Sequence, residues 1–233
     1  YLVYMGSAQQ TVTAPAGSIV SSQFSSADLV LPKTVTIGSA AEEDTKLVFD
    51  GNAQDFHIGL DDSEDKLTIG LGSTLGTTSH MVIDANGHIT KPLQSAFRAY
   101  TNANQYDFAI NTTHTLAFGA ETFDQNGDFA SNTFTAPVTG KYLLGYHLRL
   151  ESPNQSQTYT DVRVVTSNRS AQYLIDEPSI GSGADYYTVT SMQLYDMDAN
   201  DTAHITLYNA GGGAGMDITG FEQHGLFYGH LVC

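Results

Sequence analysis

Asp124, Asn126 and Asp128 stand at alternate positions, the spacing at which oxygen ligands open a calcium loop. The pattern then breaks, with Phe129 where such a loop needs glycine and Thr135 where a bidentate Glu would close the shell. Asn126-Gly127 therefore reads as an ordinary turn. Asp61-Asp62-Ser63-Glu64-Asp65 is denser in acid, but it lies between two strand-like runs, where a charge run is most often a solvated turn. Eight histidines are scattered without a His-x-His pair. One histidine repeated around a three-fold axis could hold a metal, yet dispersed surface or hydrogen-bonded histidines are the simpler reading, so no metal is expected.

Catalytic spacing is equally thin. The chain has no Gly-x-Ser-x-Gly elbow, no His-Glu-x-x-His and no phosphate loop, and its one cysteine is Cys233 at the end. Asp176 with Glu177, or Asp196 with Asp198, could supply paired carboxylates, but sequence neighbours seldom face each other across a cleft. The expectation is a protein that binds and does not catalyse, with no cofactor. What remains is three polar, aromatic loops at 151–159, 176–187 and 209–216. Asn154, Gln155, Gln157, Tyr159, Tyr186 and Tyr187 are the candidate receptor contacts, because tyrosine stacks on sugar rings and amides hydrogen-bond their hydroxyls. The plain alternative is solvated loops with Tyr186 and Tyr187 half in the core.

Elements able to carry such loops are β-strands. The 233 residues include 13 Tyr, 11 Phe and 22 Gly but no Trp, a profile rich in strand formers and turn punctuation. Nine basic against 25 acidic side chains give a formal charge of −16, which argues against nucleic acid, whose phosphates need clustered cations, and disfavours anionic membranes. No apolar run reaches transmembrane length, so no membrane insertion is expected. A lone cysteine cannot close an intrachain disulfide.

Phe134, Tyr142, Leu144, Tyr146 and Leu148 alternate with Thr133, Thr135, Lys141 and His147, the period of strands with one buried face, and Pro137 and Gly140 separate the two runs. The spacing from Phe118 through Asp124, Phe129 and Phe134 to Gly140-Lys141-Tyr142-Leu143-Leu144-Gly145-Tyr146 resembles the signature of the C1q-like globular domain, although Leu144 stands where Phe is usual and the Phe129–Phe134 gap is short. Met192 to Tyr195, Asn200 to Ile205 and Phe227 to Val232 are similar to that family's later strands. The resemblance covers roughly 97–232 and implies a trimeric jelly roll. Phe118, Phe134, Tyr142, Leu144, Tyr146, Leu194, Ile205, Leu207, Phe227 and Leu231 are its expected core, buried within the domain or against a neighbour.

Residues 34–92 have another texture: short apolar runs such as Val35-Thr36-Ile37, Lys46-Leu47-Val48-Phe49 and Lys66-Leu67-Thr68-Ile69 punctuated by glycine, with Asn86-Gly87 predicting a type I′ hairpin turn. These weak repeats are too short to enclose a core in one chain and predict strands packed against neighbouring chains. They resemble the β-structured shafts of phage tail fibres. Residues 1–33 read as an extended segment that contacts other virion proteins, and Lys91 to Ala96 as the joint before the 97–233 head. The fold class expected is thus all-β, a fibre-like segment followed by a C1q-like head, assembled as a parallel homotrimer. Together the two resemblances imply a tail-fibre or surface-fibre appendage on a virion, binding a host cell-surface glycan or protein. The competing readings are a capsid decoration or assembly protein and a glycan depolymerase.

Overall fold

The computed structural model describes residues 33–153, 156–180, 183–213 and 215–233, in which strands are joined by turns and irregular connections and by one short 3-10 turn at Glu177–Ser179. The protein is all-β. Expectations for residues 1–32 lie outside the described residues. Val35–Ile37 carries no strand, contrary to its alternating look; the segment has no strand partner and both Val35 and Ile37 are exposed.

Strands β1 (Thr45–Phe49), β2 (Phe56–Asp61), β3 (Lys66–Leu71), β4 (Ser79–Ile83) and β5 (Ile89–Thr90) form an antiparallel meander in sequence order. The acidic run after Asp61 is the β2–β3 turn, with Asp65 at φ 50°. The β4–β5 turn departs from the type I′ expectation. Gly87 has φ 84° while Asn86 keeps a negative φ, and the Gly87 N–H donates to the Asp84 carbonyl at 3.0 Å. That is a type I turn followed by a left-handed glycine, the three-residue hairpin loop with a bulge. Asp84 stabilises it by accepting the Asn86 and His88 N–H groups, each at 2.9 Å, on one carboxylate oxygen.

The meander buries the face opposite to the one its apolar residues occupy. His57, Thr68 and Asp61 are 0 %, 2 % and 8 % exposed, because the segment after β3 folds back over them with Leu75 inserted. Gly59 makes room for it: a Cβ there would lie 2.9 Å from Leu75 Cδ2. On the other face the register aligns Leu47, Ile58, Ile69 and Met81 in one row and Phe49, Phe56 and Leu71 in the next.

The second unit is a sandwich of two sheets. Its strands are β6 (Ala96–Tyr100), β7 (Thr113–Thr115), β8 (Ala120–Asp124), β9 (Phe129–Ala130), β10 (Thr133–Thr135), β11 (Gly140–Glu151), β12 (Tyr159–Thr166), β13 (Ser170–Ile175), β14 (Tyr186–Met197), β15 (Thr202–Ala210), β16 (Asp217–Ile218) and β17 (Gly225–Leu231). One sheet runs β14-β11-β17-β6-β8, the other β13-β12-β15-β10-β9. Four antiparallel pairs are nested in the chain: β12 with β13, β11 with β14, β10 with β15 and β6 with β17. The pairs fall alternately in the two sheets, so one long eight-stranded hairpin is wrapped around a core, which is a jelly roll.

That core is aromatic at one end. The Phe97 ring stacks on Phe134 at 4.7 Å and Phe129 at 5.1 Å and meets Phe227 edge-on at 5.0 Å. Phe118, Tyr142, Leu144, Tyr146, Ile205 and Leu207 are buried as the alternation predicts, and Leu231 is half-buried. Leu194 is not in the domain's own core: it is 57 % exposed in the single chain, on a face open to a neighbour. Tyr195 and Met197 take the inward positions of β14, which turns Leu194 outward beside Leu143.

Candidate binding site

Asn154 and Gln155 lie outside the described residues. The other four predicted contacts are not brought together. Tyr159 projects from β12 on the outer face of one sheet, and Tyr186, opposite Glu151, projects from β14 on the outer face of the other. Tyr186 is 54 % exposed and carries the Arg149 guanidinium 4.6 Å above its ring, a cation–π contact. Tyr187 is half-buried against the core, so its aromatic face is already in use. Gln157 is a correction: it is 1 % exposed, and neither amide atom has a hydrogen-bond partner. The Gly212 backbone lies over it so closely that a Cβ there would stand 2.7 Å from Gln157 Cγ. The Gly212 backbone, not a cleft, is what the Gln157 side chain faces.

The carboxylates that suggested calcium are occupied structurally. Asp124 accepts the N–H groups of Asp128 at 3.0 Å and Phe129 at 2.8 Å, one on each oxygen, and Asp128 accepts the Ser95 hydroxyl at 2.6 Å. Their spacing closes the Asn126-Gly127 turn onto the head. Among the described residues no three His, Cys, Asp or Glu side chains converge.

Tyr159 instead belongs to a cleft on the outer face of the β12–β15 pair. Alternation along β12 sends Tyr159, Asp161, Arg163 and Val165 outward, and the register sets Tyr208 opposite Asp161, Thr206 opposite Arg163 and His204 opposite Val165. The short strand β7 adds Thr113 beside Tyr208. These side chains line a cavity of about 400 Å³. The Tyr159 and Tyr208 rings lie 6.1 Å apart, inclined by 32°. Arg163 Nε donates to Asp161 Oδ2 at 2.7 Å, and a second guanidinium nitrogen lies 2.5 Å from the same oxygen. The Asp161 side chain is 2 % exposed and that of Arg163 44 %. Burial holds His204 below its ordinary value, so its imidazole is neutral at neutral pH. Sequence reasoning missed Asp161, Arg163 and Tyr208; the only signal was the Tyr-x-Asp-x-Arg alternation, which acquires meaning once β15 is paired with it.

Two apolar surfaces complete the inventory. On the meander Leu47, Phe49, Phe56, Ile58, Leu60 and Ile89 are all exposed on one face. On the outer face of the β14-β11-β17-β6-β8 sheet, Met192 and Leu194 are each 57 % exposed and Phe123 49 %. Half-buried Leu143 and Tyr228 lie between them in the register.

No protein-family model and no curated protein matches the chain. Among solved structures it is similar to the globular domain of zebrafish complement 1qA protein, at 16 % identity and a TM-score of 0.44, covering 60 % of this chain and 98 % of that one. It is also similar to murine APRIL crystallised at pH 8.0, at 10 % identity and a TM-score of 0.43, covering 60 % and 99 %. Both are C1q/TNF-like jelly-roll domains, and the likeness extends to the fold alone.

Proposed function

We propose that the chain is a self-associating structural appendage protein, a parallel homotrimer of the virion-fibre type, whose jelly-roll head binds a host surface component. The observation that carries this reading is the open face of the meander. A folded monomer rarely leaves a contiguous apolar surface of this extent in water, where each Å² costs about 25 cal/mol. The opposite face is closed by the chain's own Leu75 segment, so nothing within the described residues competes for the open one.

Copies of the same chain are the occupant. The rows Leu47-Ile58-Ile69-Met81 and Phe49-Phe56-Leu71 contain no charged side chain, in a protein whose formal charge is −16. Two such faces meet without repulsion, and the head contributes a second apolar surface around Met192 and Leu194. The number three rests on the C1q-like signature of Phe118 to Tyr146. Residues 1–33 attach the fibre to other virion proteins, and the protein acts by binding, not turnover. Sedimentation equilibrium of the intact chain should return three times 25.0 kDa, and antibody labelling of particles should mark a surface fibre. A monomer at micromolar concentration, or shortening of host polysaccharide by the purified protein, would defeat the reading.

A further inference from the structure

Asp161 is set up to receive a donor. Its Oδ2 takes both close contacts from Arg163, while Oδ1 is buried with no hydrogen-bond partner. A desolvated carboxylate oxygen without a donor is costly, and this one belongs to a residue lining the roughly 400 Å³ cleft beneath Tyr159 and Tyr208. The surrounding chemistry selects the class of donor. Asp161 and Arg163 neutralise each other, so a cation would meet the guanidinium and an anion would meet the carboxylate. A neutral molecule bearing several hydroxyls faces neither conflict. One hydroxyl can donate to Oδ1, while neighbouring oxygens accept from the exposed part of Arg163 and from the Thr113 or Thr206 hydroxyls. The two tyrosine rings offer apolar faces to the C–H side of a pyranose. A cavity of this size falls in the range of small-molecule sites and holds one sugar ring.

We infer that the outer face of β12 and β15 is a saccharide subsite for a neutral, hydroxyl-rich sugar residue, with Asp161 and Arg163 as its polar floor and Tyr159 and Tyr208 as its stacking walls. This deepens the binding role proposed for the head and rests on it. It also moves the contact away from the 176–187 loop. Tyr186 is engaged by Arg149, and Tyr187 by the core.

The test is fluorine NMR of the full chain labelled with fluorotyrosine, its Tyr159 and Tyr208 signals assigned by single Tyr→Phe variants. The probes are the methyl glycosides of glucose, galactose and N-acetylglucosamine, with glucosamine and glucuronate as charged comparisons. The expected result is saturable shifts of both signals with at least one neutral glycoside, at a Kd of roughly millimolar order. Asp161→Asn and Tyr159→Ala should each weaken binding at least about tenfold. Tyr159 is on the rim and half-exposed, so its variant decides the matter should Asp161→Asn fail to fold. No shift with any neutral glycoside, undiminished binding in Tyr159→Ala, or saturation by only the charged sugars overturns the assignment. Sedimentation of the same samples separates the two readings: an empty cleft in an intact trimer removes this site alone, whereas an occupied cleft in a monomer removes the assembly and keeps the site.

Discussion

Phe134 and Phe227 are both 0 % exposed and both in contact with the Phe97 ring. Truncating either to Ala should cost about 3–5 kcal/mol, since transfer and cavity terms add in a sandwich that cannot collapse around the gap. Chemical denaturation reads this directly, and an unchanged midpoint for both would refute the core. Tyr195 gives a pH-dependent counterpart. It is 2 % exposed, its hydroxyl has no hydrogen-bond partner, and burial raises its phenol from the ordinary 10.0 to about 12. The folded state favours the neutral form, so this residue's contribution is fully present below pH 10.0 and is lost as pH rises through about 12. Tyr195→Phe removes an orphan hydroxyl and should be neutral to stabilising by up to about 1 kcal/mol at neutral pH. Its stability should also fall less steeply on the alkaline side; parallel pH profiles for variant and wild type would contradict the account.

Among elements, the meander leaves one apolar face uncovered by the described residues, the face proposed as the interface. Ile58→Lys places an ammonium in the centre of the Leu47-Ile58-Ile69-Met81 row. Because Ile58 is already 38 % exposed in the single chain, the variant should keep the meander folded yet sediment as smaller species. A trimer undisturbed by this charge would show that the face is not the interface. The β4–β5 turn allows a cleaner local measurement. Gly87 at φ 84° has open space around its Cβ position, so Gly87→Ala should cost about 1 kcal/mol from backbone strain alone. The Asn86-Gly87 pair announced a hairpin correctly but not its type. Both members predict positive φ, and only the loop length set by the Val82–Thr90 and Ile83–Ile89 pairing selects the bulged three-residue form.

For the whole molecule, nine basic against 25 acidic side chains mean that assembling several copies concentrates negative charge. Assembly driven by uncharged apolar faces should therefore tighten as salt rises from about 0.01 to 0.15 M, where the screening length falls from about 30 to 8 Å. Interfaces built on ion pairs would loosen over the same range, so the sign of the sedimentation change distinguishes them.

What the sequence determined by itself was the strand pattern over most of the meander and at β10, β11, β15 and β17; β6, β7, β12 and β13 were not legible in it, and Val35–Ile37 looked like a strand and is not one. Phe134, Tyr142, Leu144 and Tyr146 could be assigned to the core because side-chain direction in a strand alternates with a period readable from neighbours, and because Pro137 and Gly140 mark where one strand ends and the next begins. Leu194 escaped this logic since Leu194 and Tyr195 are both apolar enough to be core, and only pairing with β11 decides which of the two turns inward. The binding residues were harder still. Gln157 is hidden by a glycine backbone more than fifty residues later in the chain, and Tyr159 acquires Tyr208 as a partner only through the β12–β15 register. Local pattern says which residues share a face of one strand; which face of which other strand they meet is a property of long-range pairing, and that is where the tertiary structure alone decides.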